Sequence, residues 1–177
     1  PVQKDFPIPF NFQDIFINEN LDAFPRAYLV HDYVSVPVDT AQDYLLKNTN
    51  FDLKQSAILE NSYVELNNLQ PLKYNLDKVE IIEFNENKIR VNSFSESDSI
   101  LILSDIFYPG WEVLIDEKPS EILRVNGLVR GVIVPEGNHT VEFNYIPKSF
   151  WYGLIISIFT AVIIFIIYIY SIKIISK

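Results

Sequence analysis

The last part of the chain limits what the rest of it can be. Residues 149–172, SFWYGLIISIFTAVIIFIIYIYSI, carry no formal charge. A bilayer core about 30 Å thick needs roughly 20 apolar residues in a helix. A helix also satisfies its own backbone hydrogen bonds, which lipid cannot do for it. The run therefore predicts one transmembrane helix over 149–172 and a short tail over 173–177. It separates a water-facing body from a membrane anchor. Trp151 and Tyr152 at one end, with Tyr168 and Tyr170 at the other, are the aromatic girdles expected at two membrane surfaces.

The charges fall on one side of that division. All 23 acidic residues precede Ser149, with 12 of the 14 basic ones, so the body carries a net −11. Nucleic acid is excluded as a partner, because its affinity comes from Lys and Arg contacts to phosphate. A body this acidic is also poorly suited to lying flat on anionic lipid, and its charge serves solubility. Lys173 and Lys177 follow the span, whereas Lys148 alone precedes it closely. Basic residues beside a span stay cytoplasmic, so the body is expected to be extracytoplasmic and the C-terminus cytoplasmic, in a cell membrane. There is no cysteine, hence no disulfide and no thiolate metal site. The 148 residues before the span can bury a core without either. No methionine occurs, even at position 1, and residues 1–10 lack a basic-then-apolar leader. The chain is thus expected to be a processed or truncated piece, carried across the membrane by something upstream or by the span itself.

Composition changes along the body. Residues 1–25 are dense in Pro and Phe, which disfavours helix and argues against a free linker. An extended segment pressed onto a surface is expected there. Residues 26–38, RAYLVHDYVSVPV, read as one strand ended by Pro37. Asp39 with Gln42 three residues on resembles a capping box, and Ala41, Tyr44 and Leu45 give a short amphipathic helix ending near Asn48. Residues 56–60 read as another strand, so 26–60 forms a small β-α-β annex, and 61–77 a connecting loop.

From 78 to 148 the pattern is β throughout. Seven strands are expected, over 78–84, 88–94, 99–104, 111–116, 121–125, 128–134 and 140–145. Turn residues every 8–12 positions point to a β-sandwich. Asn126-Gly127 is the strongest hairpin signal, since both central positions of a type I′ turn need positive φ. The fold class expected is mainly β: an extracytoplasmic β-sandwich with a β-α-β annex and one C-terminal transmembrane helix. Only Ile146, Pro147 and Lys148 separate the last strand from the uncharged run, so the body stands on the membrane with little freedom.

No catalytic, cofactor or metal constellation is legible. His31 and His139 lack metal-ligand spacing, and hydrogen-bonded roles explain both. No nucleophile elbow or glycine-rich phosphate loop occurs. Asp105 and Asp116 are the best carboxylate pair on offer, though turn and surface roles account for them. Tyr108-Pro109-Gly110-Trp111 fits a type II turn flanked by two aromatics. These are either core residues or a platform for stacking a sugar. Arg124 and Arg130 flank the Asn126-Gly127 turn and suit either an internal ion pair or a lipid phosphate or partner contact. Tyr108, Trp111, Arg124, Asn126 and Arg130 are therefore the candidate contacts to glycan or partner. Asn138-His139-Thr140 is an N-glycosylation sequon, with Asn138 the acceptor.

Several strings together resemble the C-terminal region of the YfhO-like family of polytopic membrane proteins. Glu19, Asn20, Ala23, Pro25, Arg26 and Ala27 match its opening motif. Ser104, Asp105, Tyr108, Pro109, Gly110 and Trp111 match its turn, and Arg124 and Asn126 its hairpin. Pro135, Gly137, His139, Val141, Phe143, Tyr145, Pro147, Ser149 and Phe150 match its closing strand. Glu117 stands where that family usually has glycine, and 61–99 matches in strand pattern alone. That family is similar to GT-C glycosyltransferases, which use polyprenyl-phosphate-linked sugars. The resemblance implies a glycosyltransferase-like architecture, but the catalytic acid of such enzymes lies in an early loop outside these residues.

The expected role is a non-catalytic extracytoplasmic β-domain and last span that packs on an N-terminal membrane domain and contacts a lipid-linked sugar or acceptor glycan. The alternative is a single-pass structural or accessory subunit of a larger membrane or envelope complex, without sugar chemistry. Membrane lipid is a partner under both.

Overall fold

The computed structural model describes residue 20, residues 22–60 and residues 76–175. Most of the Pro/Phe-rich segment over 1–25 and of the loop over 61–77 lies outside the described residues. The chain is mainly β, with two sheets and a C-terminal helix long and apolar enough to cross a membrane. In chain order the elements are β1 (Ala27–Val30), β2 (Asp32–Val36), α1 (Ala41–Lys47), β3 (Ser56–Glu60), β4 (Lys78–Phe84), β5 (Lys88–Ser95), β6 (Ser99–Ile106), β7 (Trp111–Ile115), β8 (Lys118–Ser120), β9 (Leu123–Val125), β10 (Val129–Val134), β11 (Gly137–Tyr145) and α2 (Lys148–Ile175). One sheet has six strands in the order β1-β6-β10-β9-β3-β2, the other five in the order β4-β5-β11-β7-β8.

The strand expected over 26–38 is two strands. β1 pairs with β6 at one edge of the six-stranded sheet, and β2 pairs with β3 at the opposite edge. Only His31 separates them. Two Cα–Cα steps span at most about 7.6 Å, so the two edges must meet there. The sheet therefore curls until it closes on itself at this corner. The bend has a visible cause. His31 Nε2 lies 2.6 Å from Asp77 Oδ2, and Nδ1 lies 3.0 Å from Ser97 Oγ and 3.3 Å from the Asp98 carbonyl oxygen. The side chain is thereby tied to the segment before β4 and to the β5–β6 turn. The sequence marks the break only by the polar pair His31-Asp32 within an otherwise apolar stretch.

Closure gives the sheet two buried faces. On β6, Leu101 and Leu103 join Val113, Val141 and Phe143 in the core between the sheets. Ile100 and Ile102 point the other way, into a second core with Val30, Ala57, Leu59 and Val125. That is why residues 100–103 form an unbroken apolar run where a half-solvated strand would alternate. Burial in this second core pushes the Tyr28 hydroxyl up to about 12. The β2–α1–β3 unit belongs to the same sheet, and α1 covers it through Ala41, Val36 and Ile58.

Two local expectations are corrected. The capping box at Asp39 does not form: Thr40 is the N-cap and makes no side-chain cap bond. The Ala41 amide donates instead to Glu60 Oε1 on β3, at 3.3 Å. β8 is an additional strand, three exposed residues at a sheet edge, where Pro119 lacks no bond that the edge requires. The hairpin before it keeps positive φ at Asp116 (48°) and Glu117 (67°) although neither is glycine. Asn126 (53°) and Gly127 (71°) have the expected positive φ.

Gly131 marks how tight the second core is. A Cβ there would lie 2.7 Å from Val125 Cγ2 and 3.1 Å from the Leu101 carbonyl oxygen. Gly131→Ala should destabilise the chain by about 1–3 kcal/mol, the usual range for overpacking. Val125→Ala in the same chain should recover part of that loss. Urea unfolding in detergent micelles measures both, and purely additive effects would refute the contact.

Candidate functional site

The end of the body that meets the membrane helix gathers most of the sequence-derived candidates. β11 ends at Tyr145 and α2 begins at Lys148. Tyr145 pairs in register with Trp111, and their rings lie 5.3 Å apart. The Ile146 amide donates to the Gly110 carbonyl at 2.6 Å, and Lys148 Nζ lies 3.3 Å from Glu112 Oε1. The Pro109-Gly110 turn, with Gly110 at φ 103°, is thus held against the first residues of the helix.

Arg130 lies inside this end. It is 2% exposed, and its guanidinium stacks 3.7 Å over the Trp111 ring. Trp111 is on the five-stranded sheet and Arg130 on the six-stranded one, so the stack bridges the sheets. Arg130 Nη2 donates to Asp105 Oδ2 at 3.0 Å, and Arg26 Nη2 donates to Oδ1 at 2.9 Å. One carboxylate therefore holds two arginines. Arg26 also covers the Phe84 ring at 4.1 Å. Burial pushes Arg130 below its ordinary value, while Asp105 acts in the opposite direction. Of the three aromatic and cationic candidates at this end Tyr108 is exposed, Trp111 half-buried and Arg130 buried.

Arg124 and Asn126 sit beside α1. Arg124 is the register partner of Arg130 across β9 and β10. Its Nη1 reaches Asp39 at 2.8 Å and Glu60 at 3.2 Å, and its Nε donates to the Gly127 carbonyl at 2.9 Å. Asn126 exchanges two bonds with Ile58: its amide donates to the carbonyl at 2.7 Å, and its Oδ1 accepts from the Ile58 amide at 2.8 Å. The hairpin is thereby clipped onto β3. Asn138 lies on β11 opposite Phe94 and is exposed.

The carboxylates Asp105 and Asp116 are far apart. Asp116 directly follows β7, at the end away from Trp111, and the five residue steps between them span about 17 Å by strand rise. Asp116 takes the Thr140 amide at 2.9 Å and His139 Nδ1 at 2.6 Å, and these hold its carboxyl below its ordinary value. His31 Nε2 faces the Asp77 carboxylate, and its Nδ1 lies within reach of both the Ser97 hydroxyl and the Asp98 carbonyl oxygen. The outer face of the five-stranded sheet forms an open groove of about 690 Å³, with Arg90, Thr140 and Glu142 on the inner strands and Ile82 and Leu114 on the strands flanking them. Among the described residues no group of three or more His, Cys, Asp or Glu could hold a metal ion.

What sequence reasoning passed over at the membrane end is an apolar set: Phe84, Phe107, Leu128 and Ile146, all exposed. The signal available was the run Ile106-Phe107-Tyr108, which breaks alternation just before a turn.

Two outcomes follow from these charges. Asp105→Asn leaves Arg130 buried without its counter-charge, whereas Arg130→Met leaves Asp105 paired with Arg26. Urea unfolding should show Asp105→Asn losing about 3–5 kcal/mol, the cost of an uncompensated buried charge, and Arg130→Met losing less. The reverse order would overturn the assignment. Hydrogen bonds from Asn144, Arg90 and Lys88 hold Glu142 down at about 2, from 4.5. A depressed carboxylate stabilises the fold above its unfolded value, and that stabilisation is lost as pH falls from about 4.5 towards 2. Glu142→Gln should flatten the acid side of the stability profile across that window, and an unchanged slope would count against it.

Comparison with known proteins bears on the same residues. The profile of the bacterial membrane protein YfhO family matches residues 40–157. The relative named uncharacterized protein YfhO, from Bacillus subtilis (strain 168), is 24% identical over 125 residues. That stretch is 71% of this chain and 14% of the relative, so the chain spans about one seventh of the length of that protein. No solved structure matches the chain. The match runs from the start of α1 through β11 and into α2, and so takes in both sheets and the junction; the chain belongs to the YfhO family of bacterial membrane proteins.

Proposed function

We propose that the chain is the non-catalytic extracytoplasmic β-domain and last membrane span of a glycosyltransferase-like membrane protein of this family. Its body packs on the membrane domain and helps hold a lipid-linked sugar or its acceptor glycan close to the bilayer. The observation that carries this reading is the junction: β11, flanked on both sides by β5 and β7, passes into the span through Ile146 and Pro147 alone. A module that reached freely for soluble ligands would need a longer tether. The sugar of a lipid-linked donor sits at the membrane surface, the level at which Tyr108 is exposed and the Arg26–Asp105–Arg130 cluster lies. Trp111 and Arg130 act there by stiffening the surface, since each covers the other. Lys173 and Lys177 beyond the span favour the body outside and the tail inside.

Orientation is tested first. The chain has no cysteine, so Glu136→Cys introduces one thiol at the far end of the body. Membrane-impermeant maleimide should label it on intact cells, and labelling seen only after permeabilisation would reverse the topology. The role is tested by producing the chain and the preceding spans of its parent protein as separate polypeptides. The two should co-purify in detergent, and transfer of labelled sugar from polyprenyl phosphate should require both. Transfer by the spans alone, or no association, would sink the proposal.

A further inference from the structure

The membrane end of the body exposes apolar side chains beside the start of the span. Ile106 is 64% exposed, Tyr108 60% and Leu128 54%, and Phe107 and Ile146 are also exposed. They form one rim. Ile106 pairs in register with Val129, the Phe107 amide donates to the Leu128 carbonyl at 2.8 Å, and the Ile146 amide donates to Gly110. The residues come from the β6–β7 loop, the β9–β10 hairpin and the end of β11, so the sequence does not show them as a group. Trp151 and Tyr152 continue the rim onto the first turn of α2.

We infer that this rim is seated in the interfacial layer of the bilayer, between headgroups and acyl chains, so that the body is partly embedded as well as tethered. Continuity with the span carries the argument. Lys148–Ile172 is 25 residues, and its most apolar 18-residue window has a mean hydropathy of 2.6 with no part buried against the body. At 1.5 Å per residue it is about 37 Å long, against a hydrocarbon core of about 30 Å. The excess places the first turn, with Trp151 and Tyr152, at headgroup depth, where such side chains concentrate. Ile146 lies two residues before that turn, so the rim sits at about the same level. A tyrosine among aliphatic residues suits this layer, with its ring apolar and its hydroxyl wet. Arg26 and Arg130 share the single carboxylate of Asp105, which leaves local positive charge beside the rim in a body of net −11. At the same end the β4–β5 turn is polar, with Asn85, Glu86 and Asn87.

This inference rests on α2 crossing the bilayer and is independent of any sugar chemistry. The test uses the 177-residue chain in phosphatidylethanolamine–phosphatidylglycerol vesicles. Single cysteines at Tyr108, Leu128 and Glu136 carry a polarity-sensitive fluorophore. All three positions are exposed, so the probes disturb little packing. Labels at 108 and 128 should be blue-shifted and quenched several-fold more by shallow nitroxide lipid than the label at 136, which should respond to aqueous iodide. Iodide quenching alike at all three positions would put the rim in water and overturn the inference. Protection of 108 and 128 from both quenchers would assign the rim to a protein surface, and would overturn it equally.

Discussion

β11 is the member on which the rest of the molecule depends. It is the central strand of the five-stranded sheet, paired on one side with β5 from Gly137 to Asn144 and on the other with β7. Its inward residues Val141 and Phe143 fill the core between the sheets. Its outward Glu142 collects Arg90 and Lys88. At its end Tyr145 meets Trp111, and after Ile146 and Pro147 the apolar helix begins. A central strand cannot rotate or slide without breaking two ladders. The direction in which the chain leaves the body for the helix is therefore set by the same hydrogen bonds that hold the sheet together.

The six-stranded sheet solves a different problem. A small domain with two flat sheets has one core and two solvated faces. Here the bend at His31 brings the edges of one sheet together and buries a second set of side chains inside the curl. The curl uses Gly131, where no side chain would fit, and is closed on its other flank by the Asn126 clip to Ile58. Polar groups at the seams are matched in kind: Arg130 with Asp105 and Trp111 between the sheets, Arg124 with Glu60 and Asp39 beside α1. Buried arginine tolerates this because its planar group can stack on an aromatic face while its edge donates to a carboxylate.

Much of the β architecture was legible from local chemistry. The strands over 78–84 and 56–60 have the expected limits, and the Asn126-Gly127 turn has the φ values its residue types call for. Other features were not. The break at His31 shows locally only as the polar pair His31-Asp32, because the partners that hold it, Asp77 and Ser97, lie far along the chain. The capping box at Asp39 failed because Arg124 competes for the Asp39 carboxylate and Glu60 reaches the helix end first. At the membrane end, Tyr108, Trp111 and Arg130 could be named one by one. Their grouping, with Trp111 and Arg130 stacked across two sheets, required the fold.

Residue order alone settles that this chain has a β-rich acidic body and an apolar helix at its end. Hydropathy, charge and turn chemistry are properties of neighbouring residues, and the solvent reads them directly. Which edges meet, which arginine is buried, and which apolar side chains form a rim at the membrane were decided in three dimensions. Those outcomes depend on pairings between residues tens of positions apart, such as Arg26 with Asp105 and Phe107 with Leu128, and no local rule ranks one such pairing above another.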